Sequence, residues 1–292
     1  MERKSIQWVL ILIITIIWGY SWVLMKDALL YMEPFTFSAF RFGLGAIVMV
    51  LVVMIYKLGL PPRDKIFHLL VLGMLQTAIV FLLVMYALKF IDAGKSSLLL
   101  YSMPLWSGVL ANLLLKEKTS KIRWTGLVIG MFGLAIILFS DLLGNVTLEV
   151  LFGEFLIVIA AISWAFSNIY YRIFLNKLPR LQVNAYQMLF GAIAISIVAF
   201  LAEGDATINW TFDSIYYVVF TGVLASALCF TVWFMLLSVV DTIGATMPSL
   251  LVPVFGIFFG WLLLDEIITW NILIGSIFIL SGILITNIRS KK

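Results

Sequence analysis

The chain has 292 residues, of which 63% are hydrophobic and 12% are charged, with a mean hydropathy of +1.14. Soluble domains are roughly half apolar and about a quarter charged, so this composition excludes a soluble globular protein and indicates a chain surrounded by lipid. One cysteine and one histidine exclude a disulfide framework and the clustered ligands of a zinc site, and we expect no metal and no cofactor.

Ten transmembrane helices are predicted in chain order. Apolar runs of about 20 residues can cross roughly 30 Å of hydrocarbon, and helices are required because open sheet edges cannot lie in lipid. The first five runs cover residues 6–25, 35–56, 67–88, 94–115 and 124–140. The second five cover residues 151–175, 183–202, 215–237, 244–264 and 270–288. The predicted fold class is an all-α polytopic membrane protein.

The distribution of basic residues predicts the orientation. No small-residue cleavage motif follows the first apolar run, so we expect a retained helix and not a signal peptide. Fifteen of the 19 Lys and Arg residues lie on the side that carries both termini, against Lys26, Lys89 and Lys95 on the other. The positive-inside rule then places both termini in the cytoplasm, and the short loops fit a bacterial inner membrane. Basic residues in short runs between spans do not predict nucleic-acid binding.

The two halves of the chain repeat each other. WGYSWVLMK at 18–26 aligns with WAFSNIYYR at 164–172, an offset of 146 residues. Downstream the offset is 149, which pairs Pro104 with Pro253 and LLLKE with LLLDE. The predicted repeats, 1–141 and 142–292, each hold five spans, so the second must enter the membrane from the opposite side. Inverted repeats are typical of secondary transporters with a site near the bilayer midplane.

Several motifs together resemble a known family. They are the aromatic-Ser motif in the first span of each half, the PFTFSAFR start of span two, the proline in span four, and Glu-x-x-Thr/Ser with Gly nine residues after the Glu. The last motif is carried by Glu117, Ser120 and Gly126, and by Glu266, Thr269 and Gly275. The pattern resembles the EamA family of the drug/metabolite transporter superfamily. This resemblance implies a ten-helix 5+5 fold that carries small metabolites, often amino acids and usually outward.

Two positions break the symmetry of the repeats. Gln187 stands where the first half has Arg41, and Asn168 stands where it has Trp22. Within the family, substrates differ widely, so the fold follows from the resemblance more directly than the cargo does.

Arg41 is a candidate cargo-binding residue. An arginine inside an apolar helix costs on the order of 3 kcal/mol unless it faces water or a partner. Its guanidinium could hold a carboxylate or phosphate bidentately. Alternatively, it could reach the headgroups or bind carbonyls at a helix end. No Asp or Glu is predicted in mid-span, and Glu154, at the start of span six, is expected to be interfacial or helix-terminal, with a role in proton coupling as the alternative.

Two matched prolines predict bends near the membrane centre. Proline removes a backbone N–H and clashes with the preceding turn, so Pro104 and Pro253 should each bend a helix and free a carbonyl. Corresponding breaks in two halves indicate a central site, although a packing kink would have the same sequence signature.

Aromatic and amide side chains complete the predicted substrate-binding set. Trp18 and Trp22 share a helix face, as do Trp164 and Asn168 in the repeat. Aromatic walls with a few polar groups suit a partly apolar solute. With Ser97 and Thr246 as polar neighbours, the full set is Trp18, Tyr20, Trp22, Arg41, Gln76, Tyr86, Tyr101, Pro104, Trp164, Asn168, Gln187, Trp233 and Pro253.

Helix pairing is predicted from short motifs. We expect Glu117 and Glu266 to stabilise helix hairpins just beyond spans four and nine. Small-residue pairs at 107/111, 126/130 and 256/260 let helices approach closely. These pairs could support a homodimer, but we expect them to serve packing within one chain.

The sequence favours a secondary transporter over two other classes. A membrane enzyme would need a nucleophile, a metal or a carboxylate pair, and no such catalytic motif is present. A receptor or scaffold would not need two antiparallel copies with matched prolines. We therefore expect a carrier that exports amino acids or related carboxylates by alternating access between the repeats. The alternative within this class is a broader drug or nucleotide-sugar carrier.

Overall fold

The computed structural model describes residues 2–115, 120–143, 146–232 and 251–287, and every regular element in these ranges is helical. The first six helices are α1 (Glu2–Ala28), α2 (Pro34–Ile55), α3 (Arg63–Gly73), α4 (Ile79–Ala87), α5 (Ala93–Leu100) and α6 (Met103–Leu115). The others are α7 (Lys121–Leu142), α8 (Leu148–Phe174), α9 (Arg180–Glu203), α10 (Phe212–Val219), α11 (Leu251–Leu263) and α12 (Trp270–Asn287). A first π segment, Met74–Ala78, joins α3 to α4, and a second, Phe220–Leu228, extends α10.

The predicted class, an all-α polytopic membrane protein, is confirmed. In the described ranges, eight helical spans are long and apolar enough to cross a bilayer, and α11 and α12 are shorter apolar helices. Observed ends differ from predicted ones by a few residues, as in Arg63–Ala87 against the predicted 67–88, because capping turns are polar. The predicted runs 215–237 and 244–264 extend into residues 233–250, outside the described ranges.

The fourth predicted span consists of two helices separated by a turn. α5 ends at Leu100, a turn follows at Tyr101 and Ser102, and Pro104 is the second residue of α6. Pro104 has no N–H to donate to the Leu100 carbonyl, so the α-helical ladder cannot continue through it. The predicted bend is therefore present. Pro253 is buried in the first turn of α11, and the residues directly before Leu251 fall outside the described ranges.

Glycines bring α7 and α12 into backbone contact. A Cβ on Gly133 would lie 2.7 Å from the carbonyl oxygen of Gly275, and one on Gly282 would meet the backbone of Gly126 and Gly130. Such close approach strengthens van der Waals packing in lipid, where no hydrophobic force draws helices together. We call this contact the glycine seam.

A second set of small residues places α11 between α1 and α5. A Cβ on Gly256 would overlap Ser97 of α5, and a Cβ on Gly94 would lie 2.9 Å from the Cα of Ile257. On the other side, Gly19 of α1 lies against Phe255. The glycine pairs 126/130 and 256/260 thus make contacts within the chain.

Two carboxylates cap helix N-termini at the end of the bundle that holds the turns 29–33, 88–92 and 204–211, which we call the far end. Glu203 accepts hydrogen bonds from the backbone N–H groups of Phe35 (3.0 Å) and Thr36 (2.7 Å) at the start of α2. Glu266 accepts from Ala93 (2.5 Å) and Gly94 (2.9 Å) at the start of α5. These N–H groups lack intrahelical partners, and the helix dipole favours an anion there.

The role of Glu266 differs from the prediction. It caps a helix of the first half and does not close its own hairpin, because α11 packs against α5 and brings the two ends together. Glu117, its repeat equivalent, lies outside the described residues.

Candidate functional site

Arg41 is buried between the two halves. It is the eighth residue of α2, about 10 Å along the helix at 1.5 Å per residue, and is 4% exposed. Its Nε donates to the Ser226 hydroxyl at 3.2 Å, and its Nη1 contacts the Met25 sulfur at 2.8 Å. The guanidinium carbon lies 4.9 Å from the centre of the Phe42 ring and 4.8 Å from that of Phe81. These rings give the cation π-face contacts.

In the part of the chain that the structure describes, the charge of Arg41 has no carboxylate partner. Across residues 2–115, 120–143, 146–232 and 251–287, no ion pair includes its guanidinium. Within the described residues, its hydrogen bonds go to side chains and not to helix-end carbonyls, and the guanidinium is buried inside the protein. Aromatic faces and one hydroxyl satisfy a buried cation less fully than an anion would.

Gln187 makes the equivalent contact in the second half. It is the eighth residue of α9, is 3% exposed, and accepts a 2.7 Å hydrogen bond from the Thr77 hydroxyl. Its amide nitrogen donates to Asn184 at 3.0 Å. Gln187 follows Arg41 by 146 residues, and Ser226 follows Thr77 by 149, which are the two offsets of the sequence repeat. The two halves therefore contact each other through the same pair of positions.

Both hydroxyl partners lie in π segments. Thr77 and Ser226 are each the fifteenth residue of their spans, Arg63–Ala87 and Phe212–Val232. A π turn widens the helix and is frequent at functional sites in membrane and soluble proteins alike. Arg41 and Gln187 thus both contact a widened turn of the other half.

Each π segment also receives a hydrogen bond from the other half. The Trp18 indole N–H donates to the carbonyl of Ala225 at 2.8 Å, and the Ser163 hydroxyl donates to the carbonyl of Leu75 at 2.7 Å. Since π turns disturb the regular backbone ladder, these side chains supply donors at membrane depth. Trp18 and Arg41 consequently contact adjacent residues of the second π segment.

Aromatic contacts extend the Arg41 environment to α8. The Phe81 ring centre lies 6.3 Å from that of Trp164. One turn later, the Asn168 amide nitrogen lies 3.6 Å from the Met103 sulfur, next to Pro104. The structure therefore brings Trp18, Arg41 and Trp164 into one region, and Asn168 beside Met103, the residue before Pro104. Gln187 lies on α9 and contacts Thr77 in the first π segment.

The remaining predicted residues lie in three kinds of place. Trp22 is buried, 3.7 Å from where a Gly256 Cβ would lie, while Gln76 and Tyr101 are half-buried in the first π segment and at the α5–α6 turn. Tyr20 and Tyr86 belong to other aromatic clusters, with ring centres 5.3 Å from Phe220 and 5.8 Å from Phe35 respectively. Trp233 and Thr246 lie outside the described residues.

A sequence model of the EamA-like transporter family matches residues 6–139 and 151–288. The chain belongs to the EamA-like transporter family. It is 32% identical over 274 residues to the uncharacterized transporter YoaV of Bacillus subtilis, covering 94% of each chain. It is also 25% identical over 293 residues to the probable amino-acid metabolite efflux pump of Escherichia coli, covering 98% of this chain and 95% of the other.

A solved crystal structure shares the fold of this EamA protein. The TM-score is 0.68 at 18% sequence identity, and the match covers 94% of each chain. The family match, the similarity to YoaV and the membrane spans together show that the protein is a multi-pass membrane transporter.

The EamA chain also holds a buried charge cluster that the sequence did not predict. Lys95 forms ion pairs with Asp141 and Glu154 at the far end. Glu154 is 2% exposed, so it is buried and not interfacial as expected. The signal in the sequence was a lysine at the start of one apolar run and acids at the ends of two others, but nothing in the spacing shows that these ends meet.

An apolar groove of about 740 Å³ runs between α2 and α9. Its lining includes Gly43, Ile47, Ile193 and Phe200, and none of its lining residues is charged. Such a groove fits a hydrocarbon chain better than a zwitterion, so it does not correspond to the predicted substrate site.

Proposed function

We propose that this EamA transporter exports amino acids or related carboxylate-bearing solutes by alternating access at a central cavity between its halves. The observation that carries the proposal is the buried guanidinium of Arg41, which has no carboxylate partner in the described part of the chain. A solute carboxylate would supply that partner during transport and leave with the cargo.

The energetics favour a bound anion. A central arginine in a membrane helix costs about 2.5 to 3.5 kcal/mol on insertion scales. The Phe42 and Phe81 rings offset part of that cost, by about 2 kcal/mol when a cation–π contact is desolvated. A carboxylate adds charge-assisted hydrogen bonds of about 1.5 to 3 kcal/mol, and its binding is reversible because Arg41 is already held in place without it.

The symmetry of the contacts supports alternating access. Arg41 and Gln187 bind equivalent hydroxyls in the two π segments. Rocking of one half against the other could therefore open the site to each side of the membrane in turn. Because Gln187 is neutral, one half alone supplies the cation. A solute carboxylate should therefore bind with its charged end toward α2 and its apolar end toward Trp164.

The names of relatives support the cargo class and the direction. Two relatives, from Escherichia coli and Salmonella typhimurium, are named probable amino-acid metabolite efflux pumps. We extend that role to this chain, in the cell membrane, with both termini in the cytoplasm as the basic loops indicate.

Counterflow into proteoliposomes tests the proposal. Wild type, Arg41→Ala and Arg41→Lys are compared with Arg63→Ala, an exposed arginine at the start of α3. The panel contains labelled amino acids, other carboxylates and organic cations. Loss of one charge-assisted hydrogen bond, worth about 1.5 to 3 kcal/mol, predicts a rise in KM of about 10- to 150-fold for carboxylates in Arg41→Ala. Lysine keeps the positive charge but lacks the planar guanidinium that binds a carboxylate through two N–H groups. Arg41→Lys should therefore bind carboxylates more tightly than Arg41→Ala and less tightly than wild type.

An amine that lacks the carboxylate of the best substrate is the matched control solute. Wild type and Arg41→Ala should carry this amine equally if Arg41 acts on the carboxylate. Uptake of cations with Arg41→Ala fully active would overturn the proposal, and so would an equal loss for the acid and the amine. Thermal unfolding of each variant separates loss of binding from loss of fold.

A further inference from the structure

The charge cluster at the far end joins three helices from both halves. Lys95 is the third residue of α5, Asp141 is next to the last residue of α7, and Glu154 lies two turns into α8. The Lys95 ammonium pairs with both carboxylates. The side chains of Lys95 and Glu154 are 9% and 2% exposed, and that of Asp141 is 19% exposed. The cluster therefore connects the first half to the second in a largely dry environment.

The charges of the cluster do not balance. Two carboxylates face one ammonium, so the fully ionised cluster carries one net negative charge. A low dielectric makes an uncompensated charge costly, and charged side chains in the membrane interior normally pair with a group of opposite charge. One added proton would make the cluster neutral.

The contacts show where that proton would go. Asp141 and Glu154 both pair with the same Lys95 ammonium, so their carboxylate oxygens lie close to each other. Two ionised carboxylates are both acceptors, so neither can donate across this contact. Glu154 Oε1 is buried against the Lys95 ammonium. A proton on either carboxyl oxygen would turn the contact into an O–H···O hydrogen bond.

The charged groups of neighbouring helices do not offer a second cation to balance the cluster within the described residues. Around Gly153, α8 is covered by Ala87, Phe90 and Ile91, which carry no charge. Near the start of α5, Glu266 caps the helix, Lys26 donates to the carbonyls of Leu88 (2.5 Å) and Ile91 (2.9 Å), and Asp92 is exposed just before the helix. The facing groups on α5, α7 and α8 are thus Lys95, Asp141 and Glu154 themselves.

We propose that the Lys95–Asp141–Glu154 cluster is a proton-binding site that couples transport to a proton gradient. Protonation neutralises one carboxylate and weakens the ionic link between α5 and α8. α5 lies directly before the break at Tyr101 and Ser102, so it can move apart from α6. The far end of the cavity opens when the proton binds and closes when the proton leaves. This coupling rests on the transport function proposed above, but proton binding itself does not.

Infrared difference spectra between acidic and alkaline buffer test proton binding without any substrate. The purified wild type should show the C=O band of a protonated carboxyl that disappears on titration. Glu154→Gln and Asp141→Asn each leave one carboxylate and one ammonium, and both should lose that band. Glu149→Gln, an exposed residue in the first turn of the same helix, is the matched control and should keep it. A wild type without the band overturns the proposal, whether or not the variants fold.

The coupling is tested in proteoliposomes loaded with a labelled amino-acid panel and a pH-sensitive dye. A proton gradient should accelerate flux in wild type and Glu149→Gln, and should have no effect on Glu154→Gln. Counterflow without a gradient should persist in Glu154→Gln. A gradient response that survives in both Glu154→Gln and Asp141→Asn overturns the coupling. If no amino acid is carried by any variant, the proposed function fails, and the infrared band still decides proton binding.

Discussion

Replacing Gly133 with alanine tests whether backbone contact in the glycine seam determines stability. The new Cβ would lie 2.6 Å from the Cβ of Phe278 and 2.7 Å from both the Gly275 oxygen and the Ile279 nitrogen. Ordinary contacts begin at 3.4 Å, so α7 and α12 would have to separate by about 0.7 Å. Two of the three atoms are backbone and cannot rotate away.

The expected cost follows from that displacement. Overpacking in a close-packed interior costs about 1 to 3 kcal/mol, and a rigid backbone neighbour favours the upper end. Alanine regains about 1 kcal/mol of helix propensity, so Gly133→Ala should be about 2 kcal/mol less stable than wild type. Gly43→Ala in α2 is the matched control, because a Cβ there would have no heavy atom within 4 Å. It should be neutral or slightly stabilising.

The native cysteine provides the assay. Cys229 is the single cysteine in the sequence and is buried, so a thiol-reactive dye reports its exposure as the protein unfolds in detergent. Gly133→Ala should melt well below wild type, and Gly43→Ala should not. Equal melting temperatures for the two variants would show that the seam tolerates separation, and would refute the reasoning from backbone distances.

Further predictions concern a buried hydrogen bond, a capping carboxylate and the orientation. Thr77→Val leaves the Gln187 oxygen without its donor and should lower the free energy of unfolding by about 1 to 3 kcal/mol in the same melts; no change would contradict this. Burial raises the pKa of Glu266 by more than its two backbone N–H donors lower it, so the folded state binds more protons just above the ordinary value of 4.5, and stability should fall as pH rises through this window. Glu266→Gln should remove that slope, and an unchanged slope would exclude this carboxyl as its source. In intact cells, an impermeant maleimide should label Lys89→Cys and not Arg63→Cys; the reverse pattern would place the termini outside.

The local sequence pattern predicted the membrane-spanning helices and the helix break at Pro104. Apolar runs determine the spans because lipid leaves few alternatives, and Pro104 ends α5 because it lacks an N–H. The position of Arg41 inside an apolar run was also evident, but the sequence left open whether its guanidinium is buried or reaches the headgroups. These features depend on neighbours in the chain, which a sequence displays directly.

Contacts between distant helices could not be predicted in the same way. That Arg41 binds Ser226, and that Lys95 reaches both Asp141 and Glu154, depends on which helix faces pack together. The π segments add to the difficulty, because each shifts the register of the residues that follow it and carries no known composition signal here. Glu154 was expected at the interface because its position near a helix start is equally compatible with a capping role.

The hydrogen bonds that each half donates to the π segment of the other half have a consequence for folding and membrane insertion. Trp18 completes a widened turn of the second half, and Ser163 completes one of the first half. A half produced alone would hold a carbonyl in hydrocarbon without its donor, at a cost of several kcal/mol. We therefore expect each half to be unstable by itself, and a version split between α7 and α8 should insert stably when both fragments are synthesised together and be degraded when either is made alone.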